Sequence, residues 1–589
     1  MKLIREGLHR TRTMALLMAA LAWAAAFLRL FSVYANKEVI SRSTYSVIQA
    51  NPLLLLSFMI FAPFLTLQIF SYLNSRAGSD LYHASPLRRK DMALSFFAAV
   101  MLWIVLIIVG SILISGVCGA AFKEKLELDM SHALIWALQL IAASFLVAAA
   151  TFLAMTVTGT LLTNIAVALL IIFLPRLIMF EGITNIGTAV PLLDTSALPD
   201  IVTGKLNTAF SVVVYALVND REISKVVYQM TSCIYTFLLG TVYLLIGLRL
   251  YEKRPSEAAG QPALSGRMQD FVRCAIGFIF TFPAVSMVVL KILGSDNMLA
   301  TPVDILIWYL LSLGAMIVYE FVTVRRLPKL KTLLRGFAII LILHLLWCSA
   351  VLLIEKHYES ERVDAEQIES VSFTGPYYNL PDSYLTWVAE DTQSWFGTVI
   401  RDVELQDDQL AEIVSQTHEK TAKTMHVQEQ EQVISAPEDQ TLWLYVSIRL
   451  KGGKTLKRHL EFAGGDLKTV WEVFARSEEG KTLTALPALS ELQDVYSANR
   501  EDRSALKKAY EMYREEVRNL TPEEFMEILL NGESFDGDRI GFACYFDEMT
   551  MLYGSLPVTE KFPNTQALLD KIPVVNSETG ETEYLTDLG

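Results

Sequence analysis

Gly453-Lys454-Thr455 and Gly480-Lys481-Thr482 are the places where the residue types of this chain suggest phosphate chemistry. A phosphate-binding loop needs an earlier glycine, about five positions before the motif's second, so that successive backbone N–H groups can curl around the oxygens. Ile448 and Ala475 stand there instead. The first triplet therefore reads as a hairpin turn and the second as a solvated loop. No Gly-x-Ser-x-Gly, His-Glu-x-x-His or cysteine-based nucleophile arrangement occurs. Cys118, Cys233, Cys274, Cys348 and Cys544 are scattered without CxxC or Cys/His spacing, so neither a disulfide framework nor a metal site is expected. His418 and His426 read as solvated surface histidines. No catalytic residue, metal ligand or cofactor is assigned to this chain.

Ionisable residues inside apolar segments are a second source of chemistry, because a charge in hydrocarbon is costly and rarely kept without a use. Arg176 and His344 lie well inside such segments, whereas Arg29, Lys291, Asp304 and Glu320 lie near segment ends, where snorkelling suffices. Arg176 follows Pro175, and a kink there would expose it to a cavity or a partner helix; helix packing or interfacial anchoring is the plainer role. Mid-segment Asp and Glu are absent, which argues against an ion-driven carrier.

Two polar loops carry more pattern than a connector needs. Residues 71–91 set apolar Leu81 and Tyr82 among polar groups, then Pro86 and the cluster Arg88-Arg89-Lys90. Such a segment suits a short amphipathic helix on a membrane surface or in a partner's groove, and the basic cluster alone also serves as a topology determinant. Residues 251–262 read as a helix end broken by Pro255.

The elements that must position these residues follow from hydropathy and charge. Of 589 residues, 52% are hydrophobic and 19% charged, too apolar for an ordinary soluble protein. From Lys356 onward there are 22 basic and 44 acidic residues, which leaves 28 basic and 19 acidic for the first 355. Two solvents have shaped the two parts. A membrane-crossing helix needs about 20 mostly apolar residues, and nine segments qualify: 14–34, 53–73, 92–118, 133–156, 161–183, 228–250, 271–293, 303–323 and 337–355. The basic, apolar N-terminus superficially resembles a signal peptide, but it lacks a small-residue cleavage site and reads as a retained first helix.

Lys and Arg gather in the N-terminal arm, in Arg76 with Arg88 to Lys90, in Lys253 and Arg254 with Arg267, and from Arg325 to Arg335. With nine spans, all fall on one side, so the N-terminus is expected in the cytoplasm and the acidic tail outside. The thinnest joint is at residues 156–163, between spans four and five. The tail alternates β-like and helical patterns: strands at 442–450 and 455–462 around a Gly-containing turn, helices at 407–420, 502–518 and 521–530. The expected fold is thus a polytopic α-helical membrane protein of about nine transmembrane helices followed by a soluble α+β domain.

At the two loops the chain resembles a permease subunit of bacterial ABC transporters related to type-2 exporters. Similar permeases carry a Ser-x-Arg…Asp-Leu-Tyr-His-x-x-Pro-x-x-Arg segment, matched by Ser75, Arg76, Asp80, Leu81, Tyr82, His83, Pro86 and Arg89, with Ser75 and Arg76 adjacent here. They also carry a Lys-Arg-x-Ser-Glu-x-Ala-Gly segment, matched by Lys253, Arg254, Ser256, Glu257, Ala259 and Gly260. The resemblance covers about the first 260 residues and implies an amphipathic entry helix at 1–13 and a six-span permease core over 1–260; the three additional transmembrane helices over 261–355 and the acidic extracytoplasmic domain over 356–589 depart from that minimal plan, as in larger members of the group. It also implies a bacterial plasma-membrane location, a coupling helix in the first loop, and a separate ATPase subunit that holds ATP and Mg. Leu81, Tyr82 and Pro86 are the expected docking face, with Arg88 and Arg89 at lipid headgroups or the partner's acidic surface. The other expected partners are a second copy or a homologous permease and the lipid bilayer, with no nucleic acid. A peptide, antibiotic or lipid-like substrate fits this reading. The competing reading is a membrane-bound sensor of extracellular peptide or envelope stress, for which the large tail is the argument.

Overall fold

The computed structural model describes residues 2–35, 43–46, 52–121, 126–129, 133–193, 230–292, 301–325, 330–373, 392–394, 403–424, 441–497, 500, 502–531, 538–545, 551–575 and 582–583. The chain divides into two compact units: residues 1–186 with 195–352, and residues 187–194 with 353–589.

The first unit is helical. α1 (Lys2–Ala35) is one continuous helix, so the expected entry helix at 1–13 and the first span are a single rod. The second apolar segment is short and irregular: a 3₁₀ turn at Pro52–Leu55, a π turn at Ser57–Phe61, then α2 (Ala62–Ile69). Pro63 accounts for the π turn, because its ring cannot donate and crowds the carbonyl four residues back. After a 3₁₀ turn at Ser71–Asn74 come α3 (Arg76–His83), α4 (Arg89–Ala121), α5 (Ala133–Val157), α6 (Leu161–Ala189) and α7 (Met230–Lys253). Then follow α8 (Gly266–Ile279), α9 (Phe282–Ile292), α10 (Pro302–Val324) and α11 (Leu330–Glu359).

Seven of these helices among the described residues are long and apolar enough to cross a membrane, or eight if the pair α8–α9 counts as one. Of the nine segments expected to cross, 53–73 and 271–293 are not single regular helices. The segment 271–293 bends by 51°, since Pro283 opens α9 and the ring would clash with the carbonyl of Ile279 in a continuous helix. The segment 53–73 contributes only a shorter apolar helix.

α5 is the central helix, with 78% of its most apolar part buried against 17% for α10. Small residues on it, among them Ala143, Ala148, Ala149 and Ala150, are fully buried and let neighbouring helices approach closely. Two short strands, β1 (Ser43–Ser46) and β2 (Leu126–Asp129), pair in parallel and join two of the connections expected outside.

The second unit carries three small sheets among the described residues, the smallest an antiparallel pair of β10 with β11, and its strands and helices are β3 (Ile368–Phe373), β4 (Thr392–Ser394), α12 (Asp408–Thr424), β5 (Thr441–Leu450), β6 (Thr455–Ala463), α13 (Gly464–Arg476), β7 (Leu492–Tyr496), α14 (Arg503–Val517), α15 (Pro522–Asn531), β8 (Arg539–Tyr545), β9 (Met551–Pro557), α16 (Pro563–Leu569), β10 (Val574–Val575) and β11 (Thr582–Glu583). β5 and β6 form the expected hairpin, with β3 on the far edge of β5. Gly453 turns it at a φ of +78°, which is why a glycine sits in that Gly-Lys-Thr triplet. The other triplet lies in a 3₁₀ turn at Gly480–Thr484. A four-stranded sheet of order β4-β9-β8-β7 completes the unit, parallel between β4 and β9 and antiparallel elsewhere. Residues 187–194 were not expected here; the Leu192 carbonyl accepts from the His459 amide at 2.8 Å on β6. His418 is buried, correcting the surface reading, and His426 lies outside the described residues.

Candidate functional site

The two polar loops singled out by their residue types meet in space. α3 begins at Ser75, whose Oγ accepts from the Gly78 amide at 3.3 Å and caps the helix. Helical spacing then divides its faces: Ser79 is buried and Tyr82 half-buried, while Arg76, Asp80 and Leu81 point outward, Leu81 with 72% of its surface exposed. Pro86, Leu87 and Arg88 continue the exposed surface beyond the helix.

Tyr82 and Arg89 depart from the expected docking face. The Tyr82 ring packs 4.3 Å from that of Tyr72, and its hydroxyl accepts from Arg10 Nη1 at 2.7 Å. The guanidinium of Arg10 also sits 5.1 Å over the Tyr82 ring centroid, a cation–π contact that ties α1 to the loop. Arg89 turns toward the second loop and donates through Nη1 to the carbonyls of Glu252 at 3.2 Å and Arg254 at 2.9 Å. An apolar ring and a long cation both found better partners inside than in water.

Arg254 is the hinge pin of the site, with 1% of its surface exposed. Its Nη1 donates to the carbonyls of Met155 and, at 2.6 Å, Thr158; its Nη2 donates to the Leu73 carbonyl at 2.9 Å. Those carbonyls lie at the ends of α5 and of the second apolar segment, where a helix leaves its last C=O groups without internal partners and carries partial negative charge. A planar guanidinium reaches them from two nitrogens of its fork, a spread that the single ammonium nitrogen of a lysine lacks. Burial pulls the Arg254 pKa down to about 10, so it remains a cation at neutral pH.

The rest of the second loop runs along the break between α5 and α6. Gly159 donates to the Gln261 carbonyl at 2.9 Å and accepts from Gly260 at 2.8 Å, and Leu264 donates to the Val157 carbonyl at 3.1 Å. A Cβ on Gly159 would fall on the Ala258 carbonyl, so this approach requires glycine. The joint at 156–163 is therefore a real separation of two helices, docked against both loops. His83 Nδ1 lies 3.2 Å from Ser256 Oγ, and burial, then the nearby Arg89 and Arg254 cations, push the His83 pKa below its ordinary value. Lys253, Glu257 and Gly260 remain exposed.

The two intramembrane candidates lie elsewhere. Arg176 is 9% exposed within the unbroken α6 and donates to the Ile172 carbonyl one turn back, despite Pro175 beside it. His344 is buried on α11, with Nε2 2.9 Å from Thr281 Oγ1 and Nδ1 3.1 Å from the Tyr309 hydroxyl. It braces the α8–α9 break rather than lining the loop site.

Sequence reasoning missed Arg10, Tyr72, Tyr251 and Arg273. Arg273 is 2% exposed and pairs with Glu320 at 3.0 Å and Asp270 at 2.6 Å; opposite charges in neighbouring apolar segments were the available signal. Glu320 is thus a half-buried ion-pair partner of Arg273 and not a snorkelling residue. No family model, curated protein or solved structure matches this chain.

Proposed function

We propose that this chain is the transmembrane subunit of an ATP-driven transporter whose ATPase is a separate protein holding ATP and Mg. One observation carries the reading: α3 and the turn after it present Leu81, Pro86 and Leu87 to the exterior while the inner side of this segment is tied, through Tyr82, His83, Arg89 and Arg254, to the ends of helices that cross the bundle. A partner bound on the outer face of α3 moves those ends directly, because hydrogen bonds and close packing transmit displacement better than a solvated loop does. The exposed Arg76 and Arg88 flank the apolar patch and suit an acidic rim on the ATPase or the lipid headgroups.

The gathering of residues 71–91, 157–161 and 251–264 at one locus supports placing these connections on one side of the membrane. The pairing of β1 with β2 supports placing the connections 35–51 and 123–132 on the other. With the basic loops cytoplasmic, nine crossings of a bacterial plasma membrane follow if the short second segment and the bent pair each count as one, and the acidic unit faces outward. The functional unit then pairs this chain with a second permease copy or a homologous permease.

Leu81→Asp combined with Leu87→Asp tests the docking face, since both residues are exposed and neither contributes to the buried network. Co-purification of the cognate ATPase from native membranes should be lost while the chain stays membrane-inserted. Undiminished co-purification overturns the proposal.

A further inference from the structure

A cavity of about 430 Å³ opens on the flank of the bundle between the second apolar segment and α6. Phe58, Met59 and Phe64 line one wall, Leu169 and Phe173 the other, and Arg176 is the single charged residue among the described residues that line it. Its size falls within the range of small-molecule sites.

Three features distinguish it from an ordinary packing gap. Met59, Phe64 and Leu169 are large apolar side chains left exposed at its rim, so among the described residues the opening faces the surroundings of the bundle. The wall contains the π turn at Ser57–Phe61, a departure from regular helix that recurs at functional sites. Arg176 is more than nine-tenths buried, and among the described residues its guanidinium has one hydrogen-bond acceptor, the Ile172 carbonyl of its own helix. A guanidinium has five N–H donors in a planar fork, so this one keeps donors free for an anion. A buried cation without a carboxylate partner calls for a counter-charge from outside the chain.

We propose that this groove binds an anionic phospholipid, with an acyl chain along the Phe58–Leu169 walls and the phosphate on Arg176. The apolar walls select a hydrocarbon chain, and lateral opening lets it enter from the bilayer without crossing water. The guanidinium selects phosphate, whose oxygens match its fork in a bidentate pair. A zwitterionic lipid offers the same phosphate but brings a second cation toward Arg176, which weakens the pairing. The inference requires the bundle to lie in a bilayer and is independent of any ATPase.

The full-length chain, purified in detergent and equilibrated with phosphatidylglycerol and phosphatidylcholine, is assayed by native mass spectrometry for retained lipid. Phosphatidylglycerol should be retained over phosphatidylcholine by roughly tenfold, because the choline cation of the latter opposes Arg176 across the shared phosphate. Arg176→Gln should bring the two lipids to near parity, and Leu169→Trp, which fills the groove from its exposed rim, should lower retention of both. Inorganic phosphate added in excess should displace neither. An unchanged preference in Arg176→Gln, displacement by inorganic phosphate, or no lipid on the folded wild type overturns the proposal. Retention of the chain in carbonate-washed membranes checks bilayer residence separately, so a failure of the membrane reading is distinguishable from a failure of the lipid site.

Discussion

The hydroxyls of Tyr72 and Tyr251 meet at 2.7 Å, although the residues stand 179 positions apart. Both rings are buried, and they join the end of the second apolar segment to the end of α7 just above Arg254. Removing one hydroxyl leaves the other buried without its partner, whereas removing both leaves an apolar contact. Tyr72→Phe or Tyr251→Phe alone should each cost about 1–3 kcal/mol, and the double substitution clearly less than their sum. Thermal unfolding of the detergent-solubilised chain measures this cycle; strict additivity would show that the contact carries no coupling.

Arg254→Lys keeps the positive charge and loses the fork that reaches Leu73, Met155 and Thr158. An ammonium cannot satisfy the three carbonyls in this geometry, so stability should fall on the order of 3 kcal/mol, little better than with Arg254→Gln. Proteolysis of the loops at 84–90 and 255–265 in sealed vesicles should accelerate in both variants. Wild-type protection in Arg254→Lys would mean that charge alone holds the loops.

Gly159→Ala places a methyl group against the Ala258 carbonyl and must displace the second loop. The hydrogen bonds Gly260 to Gly159 and Gly159 to Gln261 then break, at a cost of about 1–3 kcal/mol. Amide hydrogen exchange at residues 258–264 should quicken while exchange in the centre of α5 is unchanged.

In the second unit, Glu361 lies beside His418 and Arg458. His418 Nε2 is 3.5 Å away and Arg458 Nε donates at 3.0 Å; His418 first, then Arg458, hold the Glu361 carboxyl down at about 2 against an ordinary 4.5. A depressed carboxylate pKa contributes stability that is present above pH 4.5 and disappears as the pH falls from 4.5 to about 2, because the unfolded chain takes up the proton first. The shift corresponds to about 3 kcal/mol. Glu361→Gln should therefore destabilise the unit at pH 7 and flatten its stability profile between pH 4.5 and 2, followed by the fluorescence of the buried Trp471 in denaturant titrations. An unaltered acid limb in the variant would remove Glu361 as its cause.

The apolar segments could be read from the chain because hydrocarbon demands long uninterrupted runs, and only Pro63 and Pro283 changed how two of them were built. The β5–β6 hairpin was equally legible, since alternation on both sides of a glycine turn leaves one register. Leu81 and Tyr82, adjacent in sequence, received opposite fates, and no local pattern distinguishes them: helical phase decides which points inward only once the helix has a neighbour.

By itself, then, the sequence determined the helical bundle, the acidic α+β unit after it, and the two loops that mattered. Only the tertiary structure decided that those loops are one site, that Tyr82 and Arg89 serve its interior, and that Arg254 holds it together. The reason is physical: Arg254 is bound to backbone carbonyls, which every residue possesses, so nothing in the identities of Leu73, Met155 and Thr158 announces the partners that the folded chain brings to it.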